Sequence, residues 1–455
     1  MGLDAENSPH FQERRAKGAI IVKDLPKLDL ESYISNYNGF ARSARLLHIA
    51  TLSPYLAYEA LHLAITEAHD RGRNVDLYQR LVALLAKIAP TDPLATLDKD
   101  WIERTQRELK AEGDKLEHEL KSYKNNMIKE SIRMGNEDLG HYYEACGDYG
   151  GAAKAYGRMR EHCTSPKHLA DMTLRLIYVT IAQQSWTAVS SQLIKLDLVQ
   201  LKGEERAKVA AIQNACAGLT QLCTGNLAGA ASSLIHTSPI FITMPPVAGI
   251  TWQKDVMSAH DVAVYGGLCA LATMDRAELQ SKVLGNPDFR NFLELEPHIR
   301  RAITLFCKSK YSACLEVLEG YRSDYMLDLY LSKAVTAIYN KIRTKSVVQY
   351  FIPFSCVTLE EMASKFQVSG SSGNIEEELE QMISEGVLDA RIDLVNRLLV
   401  SPLHDPRHSV HSDALSMAQK YEHTLHLRLT RLNLLQAGLT MSFDKSQGGG
   451  QQFGT

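Results

Sequence analysis

The stretch "DLGHYYEACGDYGGAAKAYGRM", Asp138–Met159, decides how this chain is read. Two runs of helix-forming residues flank Gly147-Asp148-Tyr149, where a glycine followed by an Asx side chain marks a turn. Leu139, Gly140 and Tyr143 precede the turn; small Ala152 and aromatic Tyr156 stand three and seven residues past Tyr149. A small residue lets two antiparallel helices approach, and the aromatics fill the gap between them.

The spacing resembles the tetratricopeptide (TPR) helical hairpin, and it recurs. Apolar residues occupy the same two offsets behind Trp186 (Val189, Leu193), Leu227 (Ala230, Leu234), Arg276 (Leu279, Val283) and Tyr311 (Cys314, Leu318). Successive turns lie 37, 41, 49 and 35 residues apart, too irregular for a consensus array but suited to a degenerate helical solenoid over 136–327. The longest gap holds "HTSPIFITMPPVAGITW", His236–Trp252, whose three prolines predict an excursion that reaches a partner. In "YGGLCALATMDR", Tyr265–Arg276, two glycines fall inside the first helix of the fourth hairpin. Each costs about 1 kcal/mol there relative to alanine, which predicts a close helix crossing as compensation.

Over 455 residues, 45% are hydrophobic and 23% charged, ordinary values for a folded chain. The 50 Lys and Arg nearly cancel 53 Asp and Glu, which argues against a dedicated nucleic-acid or anionic-membrane binder and favours protein partners. Cys146, Cys163, Cys216, Cys223, Cys269, Cys307, Cys314 and Cys356 form no C-x-x-C pair and read as reduced core thiols of an intracellular protein. "GAIIV" is too short for a signal or a span, and Glu6 stands where myristoylation needs Ser or Thr. Residues 1–26, with Pro9 and Pro26, read as a disordered arm, and 27–135 as N-terminal helices. One of these, from Trp101 through Gly135, reads as a single long solvated helix with a stripe of Leu109, Leu116, Leu120, Tyr123 and Met127.

Beyond about Leu327 the pattern changes, and 328–402 reads as a winged helix. Two helices end near Pro353. Capping boxes Thr358/Glu361 and Asn374/Glu377 then open helices with buried stripes at Leu359, Met362, Ala363, Phe366 and at Ile375, Leu379, Met382, Ile383. A hairpin follows, Leu388 to Ile392 and Arg397 to Val400, with Leu388, Ala390, Ile392, Leu398 and Val400 as its apolar positions. Such modules often bind DNA, but "IEEELEQMISE" carries five glutamates and no cation, and would repel phosphates. The segment 410–442 reads as a long helix with a seam at Leu415, Ala418, Leu425, Leu429, Leu432 and Leu439, which wants partner helices; 443–455 reads as a disordered tail.

No catalytic or cofactor constellation is visible. "HDPRHSVHSD", with His404, His408, His411 and Asp413, lacks H-E-x-x-H and reads as a polar loop capping the last helix. "SGSSG", 369–373, has no phosphate-loop lysine and reads as a connector, and His141 lacks a neighbouring nucleophile. The fold class is therefore all-α dominated: a TPR-like solenoid, a winged helix and a C-terminal helix, with no cofactor or metal.

A helical solenoid running straight into a winged helix is the layout of the PCI family, shared by the proteasome lid, the signalosome and a translation initiation factor. The strings "KSYKNNMIKESIRMGNEDLGHYYEACGDY", "DVAVYGGLCALATMDRAELQ", "FLELEP" and "KYSACLEVL" resemble the subunit-one branch of the COP (constitutive photomorphogenesis) signalosome within that family. The resemblance implies a non-catalytic scaffold subunit, found in nucleus and cytoplasm, of the complex that removes Nedd8 from cullins in cullin-RING ubiquitin ligases. It implies that a different, zinc metalloprotease subunit does the chemistry. It also implies association with other signalosome subunits through the winged-helix module, with Leu388, Ala390, Ile392, Leu398 and Val400 as candidate subunit contacts, and through a C-terminal helical bundle along the leucine seam, without nucleic acid or membrane. The paralogous proteasome-lid subunit, an initiation-factor PCI subunit and an RNA-binding PCI module are the alternative readings.

Overall fold

The computed structural model describes residues 8–18, 20–22, 24, 26–366, 375–402 and 406–439. Two compact units result, one running to Pro353 and taking in Glu361–Ile375, the other comprising Phe354–Glu360 and the chain from Glu376 onward.

Among its described residues the first unit is built of helices, with one isolated β-bridge between Val247 and Ile250. Helix α1, Pro9–Ala16, is followed by α2 (Leu30–Ser35), α3 (Gly39–Leu52), α4 (Ala57–Asp70), α5 (Val75–Ile88) and α6 (Lys99–Asn125). The supposed disordered arm is thus folded in its described part. Phe11 and Val22 are buried, and the Val22 N–H donates to the Leu52 carbonyl at 3.0 Å, so two apolar anchors offset the ordering of a polar segment. The predicted single long helix also divides. Met127 takes a left-handed φ of 53° and is 83% exposed, and α6 folds back antiparallel on α7, Lys129–Cys146. Leu120, Ile132, Leu139 and Ala155 form their shared core.

The hairpins follow as predicted: α7 with α8 (Tyr149–Arg158), α9 (Pro166–Ala182) with α10 (Trp186–Asp197), and α11 (Gly203–Cys223) with α12 (Leu227–Ile235). After two short helices, α13 (Ile240–Thr243) and α14 (Trp252–Asp255), come α15 (Ala259–Thr273) and α16, which starts at Arg276 and continues into a π-helical turn to Leu284. An inserted α17 (Pro287–Leu295) precedes the last pair, α18 (Pro297–Cys307) and α19 (Tyr311–Glu319). Every residue at the two repeat offsets is buried: Ala152, Tyr156, Val189, Leu193, Ala230, Leu234, Leu279, Val283, Cys314 and Leu318.

Close crossings explain the glycines. A Cβ on Gly140 would lie 2.3 Å from the Tyr156 ring, and one on Gly267 2.3 Å from Ile299 Cγ2. The excursion His236–Trp252 does not project. Phe241, Met244, Ile250 and Trp252 are buried, the Trp252 indole N–H donates to the Val247 carbonyl, and the Lys254 carbonyl accepts from the Asn38 N–H at 3.0 Å. Its prolines break helix, while its large apolar side chains fill the core.

Past α20 (Arg322–Leu327), the predicted pair of helices is a run of turns and one helix, α21, Val335–Phe351. Lys345 of α21 donates to the carbonyls of Leu271 and Met274, so its ammonium caps the end of α15. Strand β1, Cys356–Thr358, leads into α22, Leu359–Phe366, and α23, Ile375–Ser384, precedes β2 (Arg391–Asp393) and β3 (Leu398–Val400). The sheet order is β1-β3-β2, antiparallel, with Val357 and Ile392 both opposite Leu399. The terminal helix is α24, Pro406–Gln436.

Candidate functional site

Beside the repeat stack, two features of the second unit offer surfaces to other chains, the sheet and α24. Hairpin β2–β3 is closed by Asp393, whose carboxylate accepts from the N–H groups of Val395 and Asn396 and from the Asn396 amide. Those bonds, the Asn396 amide foremost, hold the Asp393 carboxyl below its ordinary range. The turn thrusts Leu394 and Val395 into solvent, Val395 at 92% exposure. The candidate contacts divide. Leu388 and Ala390 are buried inside the module and precede β2, so they support the sheet and do not face outward. Leu398 and Val400 lie on the central strand, whose backbone is engaged on both sides by β1 and β2. Only Ile392, half-buried on β2, sits on an outer strand. The third strand, β1, was not legible as a strand in a three-residue "CVT".

On α24 every side chain described is exposed, including Leu415, Leu425, Leu429 and Leu432. The helix ends earlier than the seam predicted. Gly438 adopts a left-handed φ of 68°, its N–H donates to the Leu435 carbonyl, and the Leu439 N–H donates to Leu434. This is a Schellman cap, and it places Leu439 beyond the helix. At 3.6 residues per turn, Leu415, Met417, Tyr421, Leu425, Leu429, Leu432 and Leu435 share a face about 160° wide, while Leu427 and Leu434 lie on roughly the opposite side. A helix apolar on two opposite sides belongs inside a bundle of several helices, because one partner can cover only one side. The seam reading, restricted to alternating spacings of three and four, missed Met417, Tyr421, Leu427, Leu434 and Leu435.

A buried ionic hub organises the first unit, and sequence reasoning missed it altogether. Arg45 of α3 is 0% exposed and pairs with Asp261 of α15 at 2.8 Å and with Asp328 at 3.4 Å. Its guanidinium lies over the Tyr37 ring, 4.1 Å from the centroid. Asp261 also accepts from the Tyr37 hydroxyl and, in a capping box, from the Ser258 N–H. Asp328 takes the hydroxyls of Tyr33 and Tyr265 and the N–H groups of Tyr330 and Leu331. Burial, partly opposed by Arg45, holds the Asp261 carboxyl above its ordinary range. No residue type here signals function; the hub joins the N-terminal helices to the far end of the repeats.

Among the described residues no group of three or more His, Cys, Asp or Glu is arranged to hold a metal ion, and no helix is long and apolar enough to cross a membrane. His411 and Asp413 lie on α24, while His404 and the 369–373 connector are outside the described residues. His141 meets Arg175, Glu144 and the Tyr156 ring on the wall of the first hairpin. All eight cysteines are free.

Residues 98–282 match the family described as 26S proteasome subunit RPN7, and residues 318–402 match the PCI domain. The chain is 48% identical to COP9 signalosome complex subunit 1 of Emericella nidulans, over 96% of this chain and 88% of that protein. It is 36% identical to the Arabidopsis thaliana protein of the same name, over 90% of each. Likeness to 26S proteasome non-ATPase regulatory subunit 6 of Caenorhabditis elegans is more distant, 22% over 63% of this chain and 68% of that one. The TPR-like stack, the winged PCI module and these full-length identities place the chain in one family, that of COP9 signalosome complex subunit 1.

Proposed function

We propose that this chain is a non-catalytic scaffold subunit of a signalosome, joined to its neighbours through the PCI module and α24. The observation that carries the reading is α24 itself. Its two opposite apolar sides are solvated in the single chain, and their burial supplies the drive for a multi-helix bundle. Burying half of the nine exposed large apolar side chains on those two sides contributes roughly 7–14 kcal/mol at about 1.5–3 kcal/mol each. The outer strand β2 and the tip at Leu394 and Val395 offer a second contact, by strand addition and apolar docking. Within such an assembly the chain supports removal of Nedd8 from cullins, in nucleus and cytoplasm, while a separate zinc metalloprotease subunit supplies the chemistry. The glutamates of α23 make duplex binding by this wing unfavourable.

The test is the triple substitution Leu425→Asp, Leu429→Asp, Leu432→Asp in the full chain, followed by native co-purification. Loss of the other signalosome subunits, with an unchanged melting midpoint of the isolated chain, is the expected result. Retention of all of them would reject the bundle.

A further inference from the structure

Helix α18 and the turn after it, "PHIRRAITLFCKSK" from Pro297 to Lys310, carry Arg300, Arg301, Lys308 and Lys310 and no acidic residue, in a chain whose net charge is -3. Among the described residues none of these four pairs with a carboxylate, whereas nearby Arg290 pairs with Glu294 and Arg322 with Glu319. The four cations, with Pro297, Thr304 and Leu305, line a shallow depression of about 380 Å3. Arg300, Thr304 and Lys308 follow one ridge of the helix, spanning roughly 12 Å at 1.5 Å per residue. The turn that carries Lys308 and Lys310 is fixed. Ser309 holds a left-handed φ of 59°, Arg276 donates to its hydroxyl at 3.0 Å, and the Lys310 N–H donates to the Leu305 carbonyl.

We infer that this depression is a docking site for an acidic linear segment of a partner protein, with carboxylates on the arginines and lysines and an aliphatic side chain against Pro297 and Leu305. Four cations gathered around one depression with no acid among them make a concentrated positive field, and a partner carrying carboxylates gains from charge assistance and register. An extended segment advances about 3.3 Å per residue, so carboxylates four residues apart reach both ends of the ridge. Nucleic acid fits less well. No aromatic side chain lines the depression to stack a base, and four cations around one hollow do not make the long track that phosphates need. The site lies outside the PCI module and α24, so it stands or falls separately from the assembly reading.

The test uses the full chain and a short fluorescein-labelled peptide of repeated Glu-Glu-Leu triplets, read by fluorescence anisotropy. The expected result is binding that weakens with salt, disappears for a Gln-Gln-Leu peptide and falls at least tenfold in the double variant Arg301→Glu, Lys308→Glu. Lys195→Glu, at an exposed position of α10, leaves binding unchanged, and a melting midpoint within a degree of the parent shows the double variant folded. Equal affinity in the double variant, equal binding of a Glu-Glu-Ser peptide, or tighter binding of a single-stranded oligonucleotide would overturn the inference.

Discussion

Replacing Arg45 by methionine leaves two carboxylates in the interior without their cation. Asp261 and Asp328 keep their hydroxyl and N–H donors but lose contacts of 2.8 and 3.4 Å to the guanidinium. Removing one partner of a buried ion pair costs about 3–5 kcal/mol. At about 2 cal/mol/K of unfolding entropy per residue across the first unit, a loss of ~4 kcal/mol lowers the melting midpoint by about 5 °C. The loss depends on pH with a definite sign. Burial holds the Asp261 carboxyl high in the folded chain, and removing Arg45 takes away the first charge opposing that rise. A folded-state pKa above the unfolded one gives stability that is present at low pH and lost as pH rises through the folded value. Arg45→Met is therefore more damaging at pH 8 than at pH 5.5, measured by differential scanning fluorimetry against the parent at each pH. Adding Asp261→Asn and Asp328→Asn restores most of the midpoint at pH 8, because neutral amides need no cation. A midpoint shift below 1 °C, or one equal at both pH values without rescue by the amides, would refute the reasoning.

Gly267→Ala, which in a relaxed helix gains about 1 kcal/mol, here loses about 1–3 kcal/mol, since the new methyl meets stiff β-branched Ile299 at 2.3 Å. Urea unfolding checks the sign, and a variant as stable as the parent would show that α15 and α18 are not locked. Burial lowers the Lys345 ammonium to about 8. The unfolded chain holds that proton up to about pH 10.5, so stability rises between pH 8 and 10.5 in the parent, and Lys345→Met flattens that rise in pH-dependent melting.

Much of the architecture was legible because its signals are local. Tyr149, Trp186, Leu227, Arg276 and Tyr311, picked out as turn ends, are the first residues of the second helices of their hairpins. Gly266 and Gly267 announced a crossing since their helix cost needs a tertiary offset, and the stripes of α22 and α23 are buried at Leu359, Met362, Phe366, Leu379 and Met382. What stayed illegible depends on distant partners. The polar N-terminal segment hid two anchors, Phe11 and Val22, whose value depends on a groove made elsewhere. The proline-rich excursion read as a projection because prolines report broken helix and say nothing about where Phe241 and Trp252 go. Arg45 gave no signal, since its acids lie 216 and 283 residues away. On α24 the reading followed one seam of alternating three- and four-residue steps, and the second apolar side, at Leu427 and Leu434, appears only when all leucines are placed around the axis.

The span of the Arg45–Asp328 contact has a consequence for synthesis. A ribosome adding about 5–20 residues per second takes roughly 15–60 s to traverse the 283 residues between them. For that interval the apolar core that α3 shares with its neighbours is already in hand, while its arginine and the hydroxyls of Tyr33 and Tyr37 lack acids not yet made. A chain truncated before Asp261 would bring that core together around a cation with neither of its carboxylates.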